Sequence, residues 1–413
     1  MSAASDKSNL PHFVGIDIGT TTVRCVVGAI NHAGEPEIIG YGASENQGMR
    51  KGVVTHADEV TNSIIAAINE AERHSGRRVQ AATININGSH VAGVNSKGVI
   101  AISAANREIS NDDRYRVEEA AAVMQLPANR EIIQVFPKNY RLDGQDNIKD
   151  PVGMQGVRLE VDTHIVTAST PSVKSLDNAL EKADVTIKHR TVSSLAAAEA
   201  VLNRQQKEAG TVVIDIGAGT TNVVVIEDGE VQHVAVVPMG GTHVTNDLAI
   251  GLKTDLDIAE RVKLEHANLS SKGHRSVAAI TVGKVQHTFN ADDVRMIVEA
   301  RVEEIFEYVD KELKKINRSR KLPGGVVLVG GGAKLPGLAE FAREQLQLPA
   351  RVGTLLPIGG LGDISEDLAY TSCIGLMLLD MILDSNASGG AYDSDSVSFI
   401  KSISRVFTRF KRK

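Results

Sequence analysis

The feature that most constrains this chain is a short pattern that occurs twice. Thr211-Val-Val-Ile-Asp215-Ile-Gly217-Ala-Gly219-Thr220-Thr221-Asn222-Val-Val-Val-Ile226 is an apolar run ending in an Asp, a Gly-x-Gly-Thr-Thr turn, and a second apolar run. Such a stretch reads as strand, tight turn, strand: a buried hairpin. Glycine tolerates positive φ and lets the backbone approach a ligand closely. N–H groups left free in the turn form a nest that suits a phosphate. An Asp at the strand end can hold the water shell of Mg²⁺, which prefers a few carboxylates together with phosphates and waters. Phe13-Val-Gly-Ile-Asp17-Ile-Gly19-Thr20-Thr21-Thr22-Val-Arg24-Cys-Val-Val27 repeats the pattern, with Asp17 and Asp215 in equivalent places.

Two phosphate hairpins imply two similar halves facing each other across a nucleotide. The pattern is similar to that of actin, the sugar kinases and the heat-shock chaperones. The expected class is therefore α/β: an actin-like ATPase fold, two similar halves around a nucleotide cleft, with a small α/β insert in the first half. The length of 413 residues agrees with two or three domains. Aromatics are 3% with no Trp, so the cores are expected to be aliphatic. A net charge of −6 argues against a general nucleic-acid binder. Cys25 and Cys373 lie in apolar runs and read as buried small hydrophobes. No run reaches the ~20 apolar residues of a membrane span, and the twelve His show no metal-ligand spacing.

The pattern along the chain divides it. Residues 1–10 are polar and mixed, an expected disordered lead without a leader pattern. Residues 11–82 and 166–204 form the first half, with a helix over Asp58–His74 and an Ala-rich helix from Ser193. Residues 83–165 read as the insert: short strands Thr83–Ile86, Val91–Val94 and Val99–Ile102, a helix from Arg114 to Leu126, and further extended segments. Residues 210–254 and 326–384 form the second half, and 255–325 a small lobe with a long charged helix over Asp292–Ile316. Gly330-Gly331-Gly332, where an apolar strand runs into a helix, read as a bare platform for an adenine ring. Glu260 and Lys263 lie three apart on one helical face. On the residues alone the plainer reading is a solvated ion pair. Facing a cleft, the carboxylate would take ribose hydroxyls and the Lys stem would lie under the base.

Residues 385–395 are Gly/Ser/Asp-rich and read as a flexible tether. Residues 396–413 follow. Ile400, Ile403, Phe407 and Phe410 fall on one helical face, with Phe399 and Val406 beside it, and Lys401, Arg405, Arg409, Lys411, Arg412 and Lys413 supply six positive charges and no negative one. Such a helix lies flat in a membrane interface, cations toward anionic headgroups. A partner groove or a nucleic-acid arm is the alternative.

At this point the chain resembles the FtsA family of bacterial cell division proteins, from Phe13 to Lys413. The resemblance is carried by the two hairpins, by Leu328-Val-Gly-Gly-Gly-Ala-Lys-Leu-Pro-Gly337 and by His243-Val-Thr-Asn246-Asp247-Leu-Ala-Ile-Gly-Leu-Lys-Thr254. The insert residues Asp143-Gly144-Gln145, Pro151-Val-Gly153-Met154-Gln-Gly156-Val-Arg158-Leu159-Glu160 and His164-Ile-Val-Thr167 are the most specific to it. It implies a protein that binds ATP with Mg²⁺, polymerises with itself, and ties the tubulin-like division protein FtsZ to the cytoplasmic face of the membrane at the division site. FtsZ would dock its C-terminal tail on the small lobe, and the insert would engage neighbouring protomers and later division proteins. The expected nucleotide contacts are Asp17, Gly19, Thr20, Thr21, Thr22 and Arg24; Asp215, Gly217, Gly219, Thr220, Thr221 and Asn222; Gly240, Gly241, Glu260 and Lys263; and Gly330, Gly331, Gly332 and Lys334. Asp17 and Asp215 would hold Mg²⁺ through waters.

There is one departure. Filament-forming bacterial actins often place a Glu-Pro before the Ala-rich helix, where the Glu orients the attacking water. Ser193 and Ser194 stand in the corresponding positions. A hydroxyl is a far weaker base than a carboxylate, so the expectation is nucleotide binding with slow turnover. Two other readings share the fold: a small-molecule kinase, which would need a catalytic base and would leave the tail without a role, and an actin-like ATPase of type IV pilus assembly.

Overall fold

The computed structural model describes residues 11–103, 106–270, 277–283, 285–360, 364 and 366–387. Each copy of the repeated pattern forms a hairpin. Phe13–Ile18 pairs antiparallel with Thr22–Ile30, Asp17 standing opposite Arg24. Thr211–Ile216 pairs with Thr221–Glu227, Asp215 standing opposite Asn222. The same sheet grows around each. The Asp-bearing strand gains a parallel neighbour, Ala81–Ile86 in the first half and Gly325–Val329 in the second. The other strand gains an antiparallel one, Pro36–Glu45 and Glu230–Val237. Thr186–Val192 and Ala350–Val352 extend the two parallel edges. Continuous apolar runs belong in strands covered on both faces, and every residue of Thr211–Ile216 is buried.

The insert is a separate sheet in the order Ala92–Ala101, Arg158–Ser169, Arg130–Leu142, Gln145–Ile148, with the helix Asn111–Ala122 packed on it. Its core holds Ile109, Val117, Leu159 and Val161. Three expectations change here. Thr83–Ile86 is no part of the insert: it lies in Ala81–Ile86, parallel to Phe13–Ile18, because Ile84 and Ile86 are buried in the first half's core. The expected strands Val91–Val94 and Val99–Ile102 are one strand, since pairing with Arg158–Ser169 runs unbroken from Ala92 to Ala101. The helix stops at Ala122 rather than Leu126. Pro127 disfavours helical backbone at the residue before it, and Val123 caps the last turn through Glu119 O.

In the small lobe, Leu256–His266 and the hairpin Val277–Val282/Val285–Asn290 pack with the long helix Ala291–Lys315. That helix starts on Asp292 and Asp293 and ends on Lys314 and Lys315, as the helix dipole favours. It buries Val294, Val298, Val302, Phe306 and Val309 against the second sheet's core.

The last described helix, Thr371–Ala387, returns to the first half. It sits so close that a Cβ at Gly375 would lie 1.8 Å from Ala196 O, and one at Gly15 would lie 2.4 Å from Cys373 O. Asp380, fully buried, pins it there. Its carboxylate accepts from Val14 N at 2.9 Å and Thr83 Oγ1 at 2.8 Å, and pairs with Lys188 at 3.1 Å. Cys25 and Cys373 are buried and unpaired, as expected. Among the described residues no helix is long and apolar enough to cross a membrane. The expected lead (1–10) and the tail residues Phe399, Ile400, Lys401, Ile403, Arg405, Val406, Phe407, Arg409, Phe410, Lys411 and Arg412 lie outside the described residues.

Candidate functional site

The two turns meet. A Cβ at Gly219 would lie 2.6 Å from Thr20 Oγ1, so the second turn rests on the first with no room for a side chain. Between and beside them opens a cavity of about 490 Å³. Its wall contains Asp17, Gly19, Thr20, Thr21, Thr22, Arg24, Asp215, Gly217, Thr220, Asn222, Gly241, Glu260, Lys263, Gly330, Gly331, Gly332 and Lys334. Residues separated by more than three hundred positions thus line one space.

Three expected residues do not. Gly219 is used in the contact between turns. Thr221 is fully buried and its hydroxyl donates to Met239 O. Gly240 supports the second turn from behind: a Cβ there would meet Gly217 O at 2.4 Å. The turn glycines also work differently from the expectation. Gly19, Gly217 and Gly219 do not take positive φ. The N–H groups of Gly19 and Gly217 close their own turns on Thr22 O and Thr220 O, at 3.1 and 2.9 Å. Their missing side chains matter because a Cβ on Gly19 would strike Thr22 O at 2.7 Å.

Asp215 faces the cavity from a buried position and Asp17 from a partly buried one. Burial pushes the Asp17 carboxyl up to about 7; Arg24 pulls it down and the Asp215 charge adds to the rise. Burial also raises Asp215, while hydrogen bonds from Ser372 Oγ (3.1 Å) and Asn222 Nδ2 (3.4 Å) hold it back. Asn85 Nδ2 donates to Asp17 Oδ1 at 2.6 Å and to Ser193 Oγ at 3.0 Å. Two desolvated carboxylates facing one cavity form a donor set that suits a divalent ion. Among the described residues no group of three or more His, Cys, Asp or Glu could hold a metal alone. A cation here would therefore share its coordination with a phosphate and waters.

The glycine run is divided by task. Gly330 has φ +83°, and a Cβ on it would lie 2.3 Å from Asp215 Oδ1. At Gly331 a Cβ would meet no protein atom within 4 Å and would project into open space. Lys334 lines the wall with its ammonium paired to Asp367 at 2.7 Å. Glu260 and Lys263 do form an ion pair, at 2.6 Å, and they also face the cavity. Lys263 donates further to Thr245 Oγ1 (3.0 Å) and Gly241 O (3.3 Å), so its side chain is fixed against the wall.

Sequence reading missed the apolar part of the wall: Leu264, Ala267, Val298, Val302 and Pro336. Leu264 and Ala267 follow Glu260 by four and seven residues, on its helical face, and were within reach of that signal; Val298 and Val302 looked like ordinary core. It also missed Asn85 and Ser372, whose roles depend on distant chain segments meeting. Of the two serines before the Ala-rich helix, Ser193 lines the cavity, and Ser194 is fully buried with its hydroxyl unpartnered.

Residues 212–375 match a family model described as cell division protein FtsA, and residues 88–167 match one described as the SHS2 domain inserted in FtsA. The cell division protein FtsA of Pseudomonas aeruginosa is 32% identical, over 92% of this chain and 93% of its own. A structure of the PilM–PilN type IV pilus biogenesis complex superposes with TM-score 0.63 at 16% identity, over 89% of this chain and 97% of that one. MreB5 of Spiroplasma citri bound to ADP does so with TM-score 0.55 at 13% identity, over 92% and 99%. These structural likenesses speak to fold alone. They bear out the α/β actin-like ATPase fold expected from the repeated hairpins, and the insert model bears out an inserted domain in the first half.

Proposed function

The chain belongs to the FtsA family of bacterial cell division proteins, and from that premise we propose that it is a membrane-tethered, ATP-binding actin homologue that polymerises and holds FtsZ at the cytoplasmic face of the membrane. The observation that carries the nucleotide reading is the facing pair of hairpins, each presenting a carboxylate to one cavity. The triphosphate would lie against the turns around Gly19–Thr22 and Gly217–Thr220. The base would rest on Gly331 and the apolar patch of Leu264 and Pro336. Glu260 would take ribose hydroxyls and Lys263 would flank the base. Asp17 and Asp215 would hold Mg²⁺ with its waters; when bound, the ion neutralises charge between the phosphates and the carboxylates. MreB5 of Spiroplasma citri, of the same fold, was solved bound to ADP, which supports a nucleotide as the ligand.

Turnover is slow in this reading. Ser193 Oγ, the hydroxyl facing the cavity where a carboxylate would serve, already accepts from Asn85. A phosphate-release rate of many per second would end that part of it. The small lobe (255–325) is the FtsZ-binding surface, and the insert meets neighbouring protomers and later division proteins. Residues 396–413 bind anionic lipid through Phe399, Ile400, Ile403, Val406, Phe407 and Phe410 with the flanking cations.

Sedimentation with anionic vesicles, with and without ATP, tests the whole. The full chain is expected to pellet and a chain ending at residue 395 to stay in solution. A shortened chain that still pellets overturns the tether. Titration with ATP, with and without Mg²⁺, tests the cleft: Mg²⁺-independent binding, or none, removes the role given to the two carboxylates.

A further inference from the structure

A second cavity, about 600 Å³, shares no lining residue with the cleft. One wall is the last described helix, Thr371–Ala387, which presents Ile374, Leu378 and Ile382. Their spacing of four puts them on one helical face, with Ile374 buried at the floor of the cavity and Leu378 and Ile382 partly open to it. The facing wall is the segment Leu355–Ile358, held in place by Leu356 N donating to Ala200 O at 2.8 Å. The charges at the base pair with each other. Lys207 Nζ lies 2.9 Å from both oxygens of Glu199, and the two side chains are 4% and 3% exposed. What remains open is a trough that is apolar along the helix and the facing segment, with Glu35, Asn203 and Arg204 at its rim, and nothing in the nucleotide reading uses it.

The position of the trough names its occupant. The helix that forms its wall is the one from which the tail departs. Ile382 still lines the trough, and the chain continues from Ala387 to Lys413. Residues 388–396 can span up to ~30 Å when extended. The stretch from Ile374 to Ile382 is only ~12 Å long at the helical rise, so the tail can double back onto it. From Ile400 to Phe410 a helix would run ~15 Å, with apolar residues at the spacing a groove accepts. A short helix is marginal alone in water, and its apolar face would otherwise stand exposed whenever no lipid is near.

We propose that residues 397–410 seat their apolar face in the trough between the helix Thr371–Ala387 and the segment Leu355–Ile358, so that trough and membrane compete for one face of one helix. The proposal rests on the lipid-binding reading of the tail. Seated, the tail is unavailable to lipid, and the apparent membrane affinity falls by the undocked fraction. The occupant is the chain's own tail, not a second copy.

The test uses the full chain. Ile358→Cys with Phe407→Cys is oxidised mildly, with and without phosphatidylglycerol vesicles; the two native cysteines are buried. An intrachain crosslink that forms without vesicles and disappears with them is expected. Ile358→Glu, a half-buried position on an irregular segment, is expected to raise vesicle affinity about tenfold if nine-tenths of the chains are docked. No crosslink, a crosslink that persists on vesicles, or an unchanged affinity overturns the proposal. So does a crosslink between two chains, seen as a doubled mass. Loss of pelleting on removing residues 396–413 is read separately: it keeps the lipid reading whichever way the trough behaves.

Discussion

The two glycine hairpins share a backbone and differ in how they treat their carboxylates. Asp17 faces a charge: Arg24 stands opposite it in the ladder, and Asn85 donates to it. Asp215 takes its hydrogen bonds from neutral donors, Asn222 across the ladder and Ser372 from the C-terminal helix, and feels the Arg24 charge less than it feels these donors. Burial raises both, and it takes Asp17 to about 7 despite the arginine. A duplicated fold therefore does not give a duplicated site. One half places a carboxylate that changes charge near neutral pH, and the other places a carboxylate tied by hydrogen bonds to the helix that leads toward the tail.

If the halves were equivalent, neutralising either Asp would have the same consequence. The difference predicts otherwise. Asp215→Asn is expected to weaken Mg²⁺-dependent ATP binding about 100-fold at pH 7.5, the ~3 kcal/mol of a lost charge-assisted contact, and to move its pH dependence to lower pH without abolishing it, since the Asp215 charge no longer raises Asp17. The wild-type affinity itself should fall about eightfold between pH 7.5 and pH 6, because a cation needs Asp17 deprotonated and its carboxyl titrates near 7. Asp17→Asn should flatten that profile. The sign for the ligand-free fold is the reverse. The folded carboxyl lies above its ordinary 3.8, so the stabilisation it contributes is present below 3.8 and is lost as pH rises through about 7. Melting temperature against pH, with and without Mg²⁺-ATP, reads both slopes. Equal pH profiles for Asp17→Asn and Asp215→Asn would erase the comparison.

The fold was legible because the strongest signals were local: two Asp-x-Gly turns between apolar runs, and helices with acidic starts and basic ends. What escaped was whatever depends on distant segments meeting. Thr83–Ile86 looked like the opening of the insert because its neighbours in sequence belong there; its neighbours in space are Phe13–Ile18 and Thr186–Val192. The glycines were legible as required but not in their reason. Positive φ at the turns was the expectation, and the reason is close approach at Gly19 and Gly219 and positive φ only at Gly330. Ser372 and Asn85 carried no pattern at all, since a lone Ser on a helix and a lone Asn in a strand signify nothing until the carboxylate beside them is seen.

The glycine run sharpens the comparison, because it belongs to the second half. Gly331→Ala adds a methyl that meets no protein atom, so melting temperature is expected to hold. The methyl would stand where a base rests, and ATP affinity should fall about fivefold, ~1 kcal/mol. Gly330→Ala should instead destabilise the fold itself, through its φ of +83° and the 2.3 Å approach to Asp215. Equal melting temperatures for the two variants would mean that the division of labour between these glycines is wrong.

The smallest expected effect is the most specific. Ser372 donates to Asp215 Oδ2 at 3.1 Å from the first turn of the C-terminal helix, and its hydroxyl also lies 3.4 Å from Ser193 O. Ser372→Ala removes that donor from a buried carboxylate, a loss of ~0.7 kcal/mol or about threefold in ATP affinity. It also carries a signature that a packing defect lacks. Without the donor the Asp215 carboxyl rises further, so its protonation adds to the pH dependence of Mg²⁺-ATP binding. The Asp17 carboxylate, by contrast, is held by Asn85 from a sheet strand. Asn85→Ala should therefore shift the affinity without altering vesicle binding, whereas Ser372→Ala touches the helix that carries the tail. A steeper profile for Ser372→Ala with an unchanged melting temperature would locate the asymmetry between the halves in that single hydroxyl; a lower melting temperature with an unchanged profile would reduce it to helix packing.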